Sequence, residues 1–208
     1  MTFDSEHHVK SVKELEALYG PPVPRSLTKE LDHLSDHYRA FVEAAPFVVV
    51  ATSGPEGLDC SPRGDPPGFV RVHDDRTVLM PDRRGNNRLD TLRNIVRDPR
   101  ISLLFLIPGV GETLRINGRA SINIDPGLCA TFEIEGKTPR SVLEITVERV
   151  YFQCQKALAR SKLWSADAQV PRSALPTAGD MLQAISEEPF DGKAYDEGYP
   201  DHMKKTTY

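Results

Sequence analysis

From Phe47 to Gln153 the chain passes through six short runs rich in β-branched and aromatic residues, bordered by turn residues, and only one helical pattern interrupts them. The runs are FVVVATS (47–53), GFVRV (68–72), RTVLMP (76–81), RISLLFLI (100–107), ETLRINGRASINI (112–124) and VLEITVERVYFQ (142–153). Such side chains suit a pleated, half-buried surface. Six strands around a single helix do not alternate as βαβ units do, so the expectation is a predominantly β, barrel-like domain. Asn117-Gly118 leaves one local choice open, a tight hairpin turn or a glycine bulge within one long strand.

Helical patterns precede this region. Val9, Val12, Leu15 and Leu18 recur at helical spacing until Gly20-Pro21-Pro22 stops them, which predicts an outer helix over 9–19. A second helix is predicted from Lys29 to Ala45, with Leu31, Leu34, Tyr38, Phe41 and Val42 as its apolar stripe, Thr28 or Ser26 as cap and Pro46 as stop. The last twenty residues, PFDGKAYDEGYPDHMKKTTY, are polar with scattered aromatics and carry neither period, so they read as an extended tail or arm. The expected organisation is N-terminal helices packing on a barrel (1–45), the barrel (46–165) and a C-terminal helix or extended arm (166–208).

Composition narrows the function classes. At 208 residues the chain can bury a core without staples, and a net charge of −4 offers no general attraction to nucleic acid. Cys60, Cys129 and Cys154 are odd in number and far apart, which leaves neither a disulfide framework nor a CxxC pair. MTFDSEHHVKSV lacks the apolar core of a signal peptide, and no run approaches a membrane span. The chain reads as cytoplasmic, with no membrane and no nucleic acid among its partners. There is no HExxH or Cys-rich metal signature. His33 and His37 are four residues apart and would share a helix face, but no third ligand accompanies them, and solvent-facing histidines beside Asp32 and Asp36 are the simpler reading.

The stretch with most chemistry is MPDRRGNNRLDTLRNI (80–95), where a strand passes into the one internal helix. Leu89, Leu92 and Ile95 or Val96 mark the buried face of that helix, Asn86 or Asn87 supplies its N-cap, and Pro99 closes its far end. A helix start presents free backbone N–H groups and partial positive charge. Arg83, Arg84 and Arg88 stand beside it, with Gly85 allowing close approach, so the pattern predicts an anion site suited to phosphate. Upstream, DCSPRGDPPGF offers Ser61 and Arg63 in what reads as a turn-rich loop, and a guanidinium can grip phosphate oxygens with a forked pair of hydrogen bonds. The plainer alternative has Arg63 pairing with Asp65 or with water.

SPRGDPPGF (61–69), LMPDRRGNNRLDTLRNI (79–95) with LLFLIPGVGETLRINGRASI (103–122), and CQKALARSKLW (154–164) together resemble the pyridoxamine 5'-phosphate oxidase-like FMN-binding split β-barrels, in particular their FMN-dependent branch of unknown substrate. The resemblance spans roughly residues 40–185. It implies a mainly β (α+β) fold, a six-stranded split β-barrel with flanking helices, which forms a homodimer with FMN sites at the subunit interface. It also implies that residues 112–122 form one bulged strand. Carried over by position, Ser61, Pro62 and Arg63 correspond to the first flavin-contacting strand, Pro81, Asp82 and Arg83 to the strand end along the isoalloxazine, and Asn86, Asn87 and Arg88 to the phosphate-binding helix start. Lys156, Arg160, Ser161 and Trp164 correspond to the segment that reaches the flavin from the partner chain. A lone tryptophan also fits a core or interface role.

Departures limit what the resemblance implies. The Arg-x-x-Leu-x-Lys-like strand of the vitamin B6 oxidases is replaced by SPRGDPPGF, and their C-terminal Arg-x-His pair by ALARSKLW, with no histidine between Val147 and Pro200. The cofactor half of the pattern is retained and the B6 substrate half is not. The expectation is an FMN-dependent oxidoreductase moving hydride between the flavin and a small organic substrate, with no side-chain acid or base singled out. Alternatives are a non-catalytic flavin carrier, a barrel holding deazaflavin, and a haem-binding barrel, the last disfavoured because His73 is the barrel segment's one histidine.

Overall fold

The computed structural model describes residues 7–208. The reading of the N-terminus as lacking a signal-peptide core falls partly on residues 1–6, which lie outside the described residues. One antiparallel sheet organises the chain, built from β1 (Phe47–Gly54), β2 (Gly57–Gly64), β3 (Arg71–Val72), β4 (Thr77–Asp82), β5 (Arg100–Leu106), β6 (Thr113–Asn123) and β7 (Ser141–Gln153) in the order β2-β1-β5-β6-β7-β4-β3. The count is seven strands rather than six. The addition is β2, which pairs along its whole length with β1, from Gly54 opposite Gly57 to Phe47 opposite Gly64. Its Asp-Cys-Ser-Pro-Arg composition reads as loop, yet at the end of a sheet Pro62 sacrifices no ladder hydrogen bond on its outer side. The run at 68–72 shrinks to the two residues of β3.

The inward residues of β1 (Val48, Val50), β5 (Leu103, Phe105), β6 (Leu114, Ile116), β7 (Ile145, Val147, Val150) and β4 (Val78, Met80) form one buried cluster. Each such side chain contributes about 1.5–3 kcal/mol by leaving water. Tyr38 and Val42 of helix α3 (Asp36–Ala44) and Ile95 of helix α4 (Asp90–Arg97) complete it. A smaller cluster of Leu79, Cys129, Phe132 and Val142 lies beneath α5 (Pro126–Ala130). Asn117-Gly118 sits inside β6, so this stretch is one continuous strand and not a hairpin; the register against β7 shifts between the two residues, and the extra residue of the bulge is Glu148 on β7. A Cβ on Gly118 would stand 1.9 Å from the Thr146 carbonyl oxygen, which only glycine avoids.

The helices depart from the sequence reading in three places. The predicted helix over 29–45 begins only at Asp36, because Ser35 caps it by accepting the Tyr38 N–H at 3.3 Å. The preceding residues form a turn and bends around a single bridge from Leu31 to Val150. The outer helix appears as α1 (Val12–Tyr19), followed by the short α2 (Pro24–Thr28), and neither buries a residue; Val12 and Leu18 are 71% and 68% exposed. The last twenty residues are not extended: after α6 (Lys156–Ser161) and α7 (Ala178–Ile185), α8 runs from Gly192 to Thr206 through Pro200, with Asp191 capping its start. Gly179 of α7 and Gly192 of α8 cross backbone to backbone, with no room for a Cβ on either. Tyr195, Tyr199 and His202 recur at helical spacing and their rings meet in succession, with Phe190 tilted against Tyr195 from just before the helix, the signal that the sequence reading passed over.

Candidate functional site

Along β2 alternate side chains face α4, and these are Asp59, Ser61 and Arg63, the half-buried positions of the strand. They are joined by hydroxyls. Ser61 Oγ donates to both Asp59 carboxylate oxygens (3.0 and 3.1 Å), Thr91 Oγ1 donates to Asp59 at 2.5 Å, and Arg63 Nη2 donates to Thr91 Oγ1 at 3.1 Å. Arg63 Nη1 takes the Pro62 carbonyl at 2.9 Å. Arg63 thus reaches the first turn of α4 without spending its charge on a carboxylate partner. Asp82, at the end of β4, is the acid within its field: burial pushes the Asp82 carboxyl above its ordinary range, while the guanidiniums of Arg63 and Arg140 pull it back. Asp59, Thr91 and Arg140 were missed in the sequence; the period-two spacing of Asp59, Ser61 and Arg63 was the available clue.

The start of α4 differs from the starts of the longer helices. Ser11, Ser35, Thr177 and Asp191 cap α1, α3, α7 and α8 with side-chain oxygens, whereas α4 has no side-chain cap. Neither Asn86 nor Asn87 is the N-cap. That position falls to Leu89, at φ 64°, and Asn87 is also left-handed at φ 60°. Asn86 instead turns back locally, its Oδ1 accepting the Arg88 N–H at 3.0 Å, a bond that competes with helix initiation. The first-turn N–H groups of α4 are therefore left for another acceptor. Arg88 pairs with Asp90 and its side chain is 79% exposed, and Arg84 forms no ion pair among the described residues.

Arg83 stands apart from this group. Its Nε donates to Asp65 Oδ2 at 2.7 Å and its Nη1 to the Phe132 carbonyl at 2.6 Å. The Arg83 and Asp65 side chains are 18% and 3% exposed, so this is a buried ion pair. The partner proposed for Arg63 by local sequence, Asp65, belongs to Arg83. Tyr208 adds its hydroxyl to the other Asp65 oxygen, and its carbonyl takes Lys137 Nζ. Asp65 follows the first strand in the sheet order and Arg83 follows the last but one, so side chains join two sheet ends that the backbone ladder does not.

The C-terminal motif lies elsewhere on this chain. Lys156, Arg160 and Ser161 are exposed on α6, Ser161 Oγ donating to the Leu158 carbonyl. Trp164 Nε1 donates at 2.8 Å to the Val110 carbonyl, in the turn between β5 and β6. No hydrogen bond or ion pair among the described residues joins these four to Arg63, Pro81, Asp82 or the α4 start. Two cavities, of about 430 and 480 Å³, are lined respectively around Tyr38 and Phe152 and around Arg119 and Glu144, and none of the expected site residues lines either. No cluster of three metal-ligating side chains occurs among the described residues. His33 precedes α3 rather than sharing its face with His37; it lies 2.8 Å from Asp32, which it and Arg76 hold down at about 2.

The family model described as pyridoxamine 5'-phosphate oxidase matches residues 34–154. Among solved structures, HupZ from Group A Streptococcus is 20% identical, covering 56% of this chain and 91% of its own, with a TM-score of 0.45. A Clostridium acetobutylicum protein related to general stress protein 26, of the pyridoxinephosphate oxidase family, is 16% identical over 57% of this chain and 86% of its own, with a TM-score of 0.45. An F420 reductase is 16% identical over 58% and 98%, with a TM-score of 0.41. No curated protein matches.

Proposed function

The chain belongs to the pyridoxamine 5'-phosphate oxidase family, and on that premise we propose that it is an FMN-dependent oxidoreductase acting on a small organic substrate as a homodimer. The observation that carries this reading is the uncapped start of α4 with Arg63 hydrogen-bonded into its first turn. Unsatisfied N–H donors at the positive end of a helix, together with a guanidinium not neutralised by an ion pair, suit a phosphate monoester. The three nearby acids do not oppose it strongly: Asp59 is covered by two hydroxyl donors, Asp90 in the first turn of α4 is paired with Arg88, and burial disfavours charge on Asp82.

Arg63, the first-turn N–H groups of α4 and Arg88 would hold the phosphate, with Ser61, Pro62, Asn86 and Asn87 shaping the approach. Pro81 and Asp82 would line the flavin, with Arg83 behind them. Bound FMN would supply the hydride chemistry; the chain would orient the ring and limit water around it. We read the sheet as a split barrel, closed by the Asp65–Arg83 pair rather than by backbone pairing. Phe47, Val49, Leu104 and Leu106 leave a partly open apolar surface on the outer side of β1 and β5, which suits a twin subunit. In that dimer Lys156, Arg160, Ser161 and Trp164 would serve the partner's site. All three cysteines are free thiols, in keeping with a cytoplasmic setting, and no helix among the described residues is long and apolar enough to cross a membrane.

The test begins with the visible absorption spectrum of the purified protein, followed by release and identification of any chromophore. The expected result is a flavin spectrum with FMN released, and oxidation of a reduced nicotinamide with an added acceptor. A colourless protein that refuses added FMN, and takes up deazaflavin or haem instead, would overturn the cofactor assignment. Tight FMN binding without turnover across a panel of donors and acceptors would leave a flavin carrier.

A further inference from the structure

Tyr208 stands 143 residues from Asp65 in sequence, yet its hydroxyl occupies the carboxylate oxygen that Arg83 leaves open. We propose that Tyr208 is a positioning residue of the site: docked on Asp65, it completes a brace that sets how the end of β2 faces the end of β4, and so how Arg63 faces Asp82. The inference rests on the FMN reading for its consequence, and on the structure alone for the brace.

Four observations carry it. The ends of β2 and β4 share no backbone ladder, so their separation is set by side chains. Asp65 lies two residues after Arg63, and Arg83 directly follows Asp82, so the ion pair fixes the backbone next to both groups. Asp65 is almost wholly shielded from solvent and both of its oxygens have donors, Arg83 Nε and the Tyr208 hydroxyl. Removing either donor leaves a buried acceptor unfilled, which a tail lying on an exposed surface would not do. Finally, Tyr208 is held in place at both ends of its arm, because α7 and α8 cross at Gly179 and Gly192 and are tied by Asp196 and Gln183 to backbone N–H groups, while Lys137 holds the Tyr208 carbonyl.

Linkage gives the brace a signature. If docking of Tyr208 favours the binding geometry, a ligand in the site strengthens docking by the same factor. The experiment compares the wild type, Tyr208→Phe and Lys137→Met by hydrogen exchange, with and without FMN, and by FMN titration. In Tyr208→Phe, exchange rises in residues 64–66 and 81–84 as well as in α8, and the FMN Kd rises about five- to tenfold. FMN slows exchange of α8 in the wild type, and does so much less in Tyr208→Phe. Lys137→Met, which leaves the hydroxyl in place, loosens α8 with a smaller change at 81–84.

Faster exchange confined to α8, with residues 64–66 and 81–84 and FMN affinity unchanged, would overturn the proposal and leave Tyr208 as a pin for the arm. If the wild type binds no FMN, the cofactor reading fails separately, and exchange at 64–66 and 81–84 in the ligand-free variants decides the brace.

Discussion

Arg63 and Arg83 are twenty residues apart and sit at the ends of strands, yet they are in opposite chemical states. Arg83 is enclosed, with Asp65 and the Phe132 carbonyl taking its donors. Arg63 donates to a hydroxyl and a carbonyl and keeps its positive charge uncompensated by an ion pair. One arginine holds the fold, and the other is available to a ligand. An arginine's position beside a glycine-rich turn does not tell which of these it is; the depth and identity of its acceptors do.

Four further substitutions test this difference. Arg83→Ala leaves the Asp65 carboxylate buried without its cation, and the expected loss is about 3–5 kcal/mol in denaturant unfolding. A loss under about 1 kcal/mol would put the two arginines in one class. Arg63→Ala should do the reverse, with little change in unfolding but FMN binding weakened by about 1.5–3 kcal/mol, read by fluorescence titration. Unchanged affinity would move the phosphate away from the α4 start.

Asp82→Asn probes the acid that Arg63 faces. Burial raises the Asp82 carboxyl, so the folded protein favours the protonated form. That contribution is fully present below the ordinary carboxylate range and is lost as pH rises through the raised value. The asparagine variant should therefore melt higher than the wild type at about pH 7 and lose the advantage near pH 3. An equal difference at both pH values would exclude titration of Asp82 as its origin. The smallest effect is expected at Arg88, exposed and already paired with Asp90. Arg88→Ala should weaken FMN binding less than Arg63→Ala does, with the difference from wild type fading at high salt.

Much of the fold was legible because it rests on local pattern. Five of the six expected strands have the composition of a core-facing surface, and the continuity of β6 through Asn117-Gly118 followed the resemblance, with the extra residue of the bulge on β7. β2 was hidden because its edge position tolerates Pro62, and its only pattern is the alternation of Asp59, Ser61 and Arg63 with Leu58, Cys60 and Pro62. The start of α4 was placed too early because asparagine favours caps and also favours left-handed turns, and here the second tendency prevails at Asn87. The Arg83–Asp65 pair was illegible for a different reason. Two sheet ends must meet before those residues are neighbours, while the nearer arginine in sequence, Arg63, points to Thr91. The C-terminal motif was legible only as residue types, because no hydrogen bond among the described residues brings Ser161 or Trp164 to the α4 start, and the role proposed for them needs a second chain.

The bulge opposite Gly118 can also be described by counting. Asn117 pairs with Arg149 and Gly118 with Val147, so Glu148 has no opposite residue and β7 is one residue longer than the stretch of β6 it follows. Inward side chains are odd-numbered up to Val147 and even-numbered from Val150, and Glu148 is where the parity changes. A deletion of Glu148 would keep every buried side chain of β7 on its own side, whereas deletion of any residue from Leu143 to Ile145 would turn part of the strand inside out. The same surplus residue separates the half of β7 that β4 also pairs with from the half beyond it, so the sheet changes direction where its second neighbour ends.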